Sequence, residues 1–168
     1  YSTWGVGVSE VEVDALTGQF EVKRTDIIYD CGVSMNPAVD VGQVEGGFVF
    51  GLGWFTQEQV RWSKTTGEAM LTGTWNYYPA MANDIPEVLN VSLLENSNNS
   101  VGVLSAKACG EPPVALATSV ALALEDAINA SRIQVGLVPW NCTALPLTVD
   151  QISAACGVTP QSFVFPSV

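Results

Sequence analysis

Strict alternation of apolar and acidic side chains marks the start of the chain. The segment SEVEVD at 9–14, with GVGV before it, predicts a half-buried strand over 5–14, with Val6, Val8, Val11 and Val13 as its apolar positions. Leu16-Thr17-Gly18 carries turn chemistry, and QFEVKRTDIIY at 19–29 predicts a second strand that closes a hairpin with the first. EVLNVSLLE at 87–95 alternates in the same way. Shorter strands are predicted on either side of Thr65-Thr66-Gly67, within 61–73, and again at 101–105. The aromatic, Pro-punctuated stretch 74–86 predicts an ordered crossing loop, and 96–100 a polar loop tip.

Two longer apolar runs break this alternation. After a loop at 30–40, with Gly32 and Asn36-Pro37 as breakers, VGQVEGGFVFGLGWFTQEQV at 41–60 predicts a helix. Its five glycines, at 42, 46, 47, 51 and 53, would each weaken an isolated helix by about 1 kcal/mol relative to Ala. Such a run is usable where something packs close to the backbone, either a neighbouring helix or a flat ligand. Gln43 and Glu45 are polar groups within it, and each needs a partner if buried. The second run follows Gly110-Glu111-Pro112-Pro113 and predicts a helix over 112–132. Proline costs nothing in a first helical turn, where its missing N–H has no acceptor. Glu111 therefore stands at a helix N-terminus, where the dipole favours negative charge, and Gly110 removes a Cβ beside it. Taken alone, Glu111 reads as an ordinary helix-start acid. A short helix at 148–156 and an extended tail complete an α+β pattern of strands and hairpins packed with two apolar helices. The division is 1–135 as the main body and 136–168 as a C-terminal tail with its short helix.

Composition narrows the chemistry. At 48% hydrophobic and only 14% charged, the 168 residues can build a packed core. A net charge of −11 with no basic cluster argues against a nucleic-acid surface, and no span long enough to cross a membrane is predicted. Histidine is absent, which excludes His-based triads, proton shuttles and His-ligated zinc. Cys31, Cys109, Cys142 and Cys156 are widely spaced and form no CxxC pair, so they read as free thiols rather than a metal knuckle. Glu10 and Glu12 share one strand face and read as solvated acids rather than a glycosidase pair. Neither a dinucleotide fingerprint nor a phosphate loop occurs in the glycine-rich run. Four Asn-X-Ser/Thr triplets begin at Asn90, Asn98, Asn129 and Asn141.

Three blocks carry a family likeness: NPAVDVGQVEGGFVFGLGWFTQEQ at 36–59, GTWNYYPAMANDIPEVLNVSLL at 73–94 and SAKACGEPPVALATSVALALEDAI at 105–128. In this order they closely resemble consecutive blocks of the molybdenum hydroxylases, which include xanthine dehydrogenase/oxidase and aldehyde oxidase. SEVEVDALTGQFEVKRTDIIYDCG before them and LTVDQISAAC at 147–156 resemble the flanking blocks. The resemblance implies the C-terminal part of a molybdopterin-binding region within a larger polypeptide, inactive when isolated. It implies hydroxylation of an aldehyde or an electron-poor N-heterocycle such as a purine, with oxygen taken from water. Glu111 matches the family's general base, Gln43 a glutamine that hydrogen-bonds the molybdopterin, and Gly110 the residue that lets the base approach the metal centre. The molybdenum would be held through its pterin and not by a side chain of this chain.

The same resemblance implies 2Fe-2S clusters and FAD elsewhere in the enzyme, a homodimer, and a cytoplasmic location. A secreted location is the alternative that the four triplets raise. Phe50 departs from a frequent Gln and Tyr78 from a frequent Lys, and the GTWNYYP block leans toward the aldehyde oxidase branch. The competing reading is a non-catalytic structural or binding glycoprotein of the same descent.

Overall fold

The structure, a computed structural model, describes residues 1–159. Strands β1 (Gly5–Val13) and β2 (Phe20–Tyr29) form the expected antiparallel hairpin, with a bulge between Glu10 and Val11. The Asp14 carboxylate closes its turn by accepting from the backbone N–H groups of Leu16 and Thr17, at 2.9 and 3.3 Å. Strand β3 (Val88–Leu93) adds to β2 in parallel, giving the sheet order β1-β2-β3. One detail reverses expectation. Val6 and Val8 point outward, about two-thirds exposed (65% and 64%), while Gly5 and Gly7 face inward. The Leu116 side chain fills that inner side, within 3.2 Å of where a Gly5 Cβ would stand.

Helix α1 (Pro37–Thr56) begins four residues earlier than the apolar run suggested. The Asn36-Pro37 pair starts the helix rather than breaking it: Asn36 Oδ1 accepts from Val39 N at 3.4 Å, and Pro37 takes the first helical position. Val44, Phe48 and Leu52, spaced by four, are fully buried and form the helix's contribution to the core. Helix α2 (Thr118–Gln134) answers with Val120, Leu124 and Ile128 at the same spacing. Each such side chain contributes roughly 1.5–3 kcal/mol by leaving water. Contrary to expectation, residues 112–134 are apolar and long enough to cross a bilayer by length and composition, yet Val120, Leu124 and Ile128 are buried in the core. Helix α3 (Val149–Cys156) starts where Thr148 N donates to Gln151 Oε1, and it buries Ile152 and Cys156 in the same core.

Three expectations change. The 61–73 hairpin reduces to a single bridge between Trp62 and Ala69, because its polar turn has little apolar face to bury. The strand expected at 101–105 is a tight 3-10 turn at Val103–Ser105, with Leu104 and Ser105 at φ 50° and 62°. The helix expected from 112 opens as a 3-10 turn, Pro112–Ala117, before α2 begins. Residues 160–168, the end of the expected tail, lie outside the described residues.

Candidate functional site

Two glycines of α1 admit the segment that carries Glu111. A Cβ on Gly47 would fall 2.3 Å from the Gly110 carbonyl oxygen, and one on Gly51 would fall 2.3 Å from the Val114 carbonyl oxygen. These positions settle half of the question the glycines raised, since here the close neighbour is protein backbone. Gly42 and Gly46 are different. A Cβ at either would meet nothing within 4 Å. Both form the floor of a groove of about 640 Å³, which Gln43, Gly110 and Glu111 also line. Phe50, Trp54 and Val114 give it an apolar wall.

The three residues singled out from the sequence are thus brought to one place. The Gln43 side chain is exposed toward the groove, and its Oε1 lies 2.9 Å from where a Gly110 Cβ would be. Any residue but glycine at 110 would displace that amide. Glu111 directly precedes the 3-10 turn, its carbonyl accepts from Val114 N at 3.1 Å, and its exposed carboxylate makes no capping bond of its own. The carboxylate is left available to the groove.

Rigid anchors hold the backbone that presents it. Gly32 and Ala106 form a bridge, and Lys107 N donates to the Cys31 carbonyl at 2.8 Å. The Tyr29 hydroxyl donates to the Ala108 carbonyl at 2.5 Å. The Lys107 ammonium donates to Asp30 Oδ2 at 2.5 Å, with the two side chains 9% and 3% exposed. Burial opposes charge on Asp30, but the Lys107 ammonium, the Ser97 hydroxyl and Gly32 N–H together hold its carboxyl below the usual carboxylate range. The segment from 106 to 110 is therefore fastened on both sides before it reaches Glu111.

The far wall holds a group that the sequence reading passed over. Glu58 lines the groove and accepts a hydrogen bond from the Tyr77 hydroxyl. The TQEQ stretch that leaves the end of α1 was the available signal, but only the crossing loop, which brings Tyr77 back to it, gives Glu58 a place. Cys31, Asp40 and Cys109 also meet, their ligand atoms all within 4.8 Å of one another. Burial, then the Asp40 charge, pushes the Cys109 thiol up to about 12. A larger concavity of about 940 Å³ lies beside the β1–β2 hairpin and the start of α3, away from Gln43, Gly110 and Glu111. Glu12 lines it and Glu10 stays exposed, as expected of solvated strand acids. Among the four triplet asparagines, Asn90 donates from Nδ2 to Asp26 Oδ1 at 2.8 Å, and Asn129 is engaged on both sides of its amide. Its carboxamide donates to the Trp140 carbonyl at 3.0 Å and accepts from Trp140 N at 2.7 Å.

A glycine-floored groove with polar groups at one end, set in an α+β framework, has the form of a ligand-binding domain. Comparison with known proteins gives that class its family. Residues 1–86 match the family described as "Molybdopterin cofactor-binding domain". Over 162 residues the chain is 44% identical to xanthine dehydrogenase 1 of Arabidopsis thaliana, covering 93% of this chain and 12% of that one. Aldehyde oxidase 4 of the same plant is 48% identical over 175 residues, covering 94% and 13%. The fold also matches quinoline 2-oxidoreductase from Pseudomonas putida 86, with a TM-score of 0.73 at 24% identity, over 89% of this chain and 18% of that one. The chain belongs to the molybdenum hydroxylase family, in its molybdopterin-binding region. It spans about one eighth of the length of the curated relatives it matches.

Proposed function

We propose that this chain forms one wall of the molybdopterin groove of a hydroxylase acting on aldehydes or electron-poor N-heterocycles such as purines, and that Glu111 is the general base. The observation that carries the reading is the convergence of Gln43, Gly110 and Glu111 on a groove floored by Gly42 and Gly46. The residues present fit the cofactor. A flat pterin needs a floor without side chains, polar groups at its edge and an apolar flank. Gly42 with Gly46, the exposed Gln43 amide, and Phe50 with Trp54 provide these in turn. Phe50 leaves that flank without the polar contact that a glutamine there would give, so Gln43 carries the polar recognition from this wall.

When bound, the molybdenum cofactor supplies the oxygen-transfer and two-electron chemistry that no side chain of this chain offers. The protein's part is binding, orientation and proton handling. The Gln43 amide can donate from Nε2 and accept at Oε1, which suits a pterin edge. Gly110 keeps the space beside that amide clear. A Glu111 carboxylate oxygen takes up the proton released as water-derived oxygen is transferred to the substrate carbon. The anchored 106–110 segment fixes the backbone from which this carboxylate reaches the groove, which reduces the entropy cost of reaching the reactive arrangement. The rest of a longer polypeptide would supply the remaining cradle, the 2Fe-2S clusters and the FAD, in a cytoplasmic homodimer.

The test is the molybdenum and pterin content of the complete enzyme carrying Gly46→Leu or Gln43→Ala. Both substitutions lie at exposed helix positions, so folding should persist while bound cofactor falls. Full occupancy with unchanged turnover in Gly46→Leu would remove the groove from the account.

A further inference from the structure

We propose that Cys31, Asp40 and Cys109 together bind one zinc ion, at a site separate from the molybdopterin groove. The three come from different segments: Cys31 just beyond β2, Asp40 in the first turn of α1, and Cys109 directly before Gly110. Two thiols and a carboxylate form a donor set that zinc accepts, and it excludes the hard, oxygen-seeking magnesium and calcium.

One edge of the cluster already has the length that a tetrahedral site needs. Zinc arms of about 2.3 Å to sulfur and about 2.0 Å to oxygen give a sulfur–oxygen edge of about 3.5 Å. Cys109 Sγ lies 3.5 Å from Asp40 Oδ1, where it now donates a weak hydrogen bond. The remaining pairs among the three ligand atoms lie within 4.8 Å, so side-chain rotation of about 1 Å brings the set to bonding distance. Asp40 is already oriented from behind, because its other oxygen, Oδ2, accepts from the Ser34 hydroxyl at 2.5 Å. Support of this kind is what a ligating carboxylate requires. Lys107, the nearby cation, is committed to Asp30 and does not neutralise the cluster.

Zinc would displace the thiol protons, which burial first and the Asp40 charge second hold in place without the ion. Three protein ligands leave the fourth tetrahedral position to a water molecule. It ties together stretches far apart in the chain and fastens Cys109 one residue before Gly110. The site does not depend on the role given to Glu111.

The experiment uses the complete enzyme that contains this chain, reduced and dialysed against Zn²⁺, with zinc content measured after removal of loosely held ion. Cobalt(II) serves as a second probe, read as the thiolate-to-metal charge-transfer absorption in the difference spectrum against the untreated enzyme. One zinc per chain is expected, with the charge-transfer band present. Zinc content should fall at least tenfold in Cys109→Val and in Asp40→Asn, and Cys142→Ser should match the wild type. Circular dichroism confirms that the variants fold, and Cys109→Val offers the metal no ligand atom. Undiminished zinc in Cys109→Val, absence of stoichiometric zinc in the wild type, or a Cys31–Cys109 disulfide in the freshly isolated enzyme would each overturn the proposal.

Discussion

A Cβ placed on Gly47 would stand 2.3 Å from the carbonyl oxygen of Gly110. Helix α1 and the Glu111 segment are therefore in backbone contact, and the distance between them is set by a missing side chain. Gly46, one position earlier, faces open groove. Gly47→Ala should destabilise the fold by about 1–3 kcal/mol through overpacking. Gly46→Ala should stabilise it by up to about 1 kcal/mol, the helix-propensity gain over glycine. Urea denaturation of the two variants measures the opposite signs.

The Lys107–Asp30 pair is the main electrostatic anchor of the segment that leads to Glu111. Both side chains are nearly out of water, so Lys107→Met leaves a buried, unpaired carboxylate. The expected cost at neutral pH is about 3–5 kcal/mol. The sign of its pH dependence follows from Asp30. In the wild type its folded pKa is depressed, so its contribution is present above the unfolded value of about 3.9 and is lost as pH falls through the folded value. In the variant, burial acts without the ammonium and protonation relieves the penalty. The stability difference between wild type and variant should therefore narrow in acid. Denaturation midpoints at pH 7 and at pH 4 check this.

How far these contacts could be read from the sequence differs from element to element. The hairpin, α2 and α3 follow from short-range periodicity, and Gly-Glu-Pro-Pro marks the start of a turn without any partner. The outward flip of Val6 and Val8 could not be read, because it depends on Leu116 arriving from more than a hundred residues away. The five glycines of α1 announced close approach but not its object. Only the fold separates Gly47 and Gly51, which meet protein, from Gly42 and Gly46, which do not. Gln43, Gly110 and Glu111 were singled out by family resemblance, and their convergence on one groove is a property of the packing. Cys31 and Cys109 seemed unrelated because linear spacing says nothing about segments joined through the Gly32–Ala106 bridge.

Asn129 offers a test of the glycoprotein reading. Its half-buried carboxamide bonds the Trp140 backbone through both Nδ2 and Oδ1, so a glycan on Nδ2 would have to fit against that contact with only one N–H left to donate. Peptide mapping of the folded protein should find Asn129 unmodified. Asn129→Ala should cost about 1–3 kcal/mol by leaving the Trp140 groups unpaired, read as a lowered denaturation midpoint.

In the proposed function the carboxylate at 111 moves a proton rather than shaping the fold. The decisive measurement is steady-state turnover of the complete enzyme with Glu111→Gln, corrected for bound molybdenum. Glutamine keeps the size of the side chain and removes the base. The expected result is unchanged molybdenum content with kcat reduced about 10²–10⁴-fold. Turnover per molybdenum equal to that of the wild type would contradict the assignment.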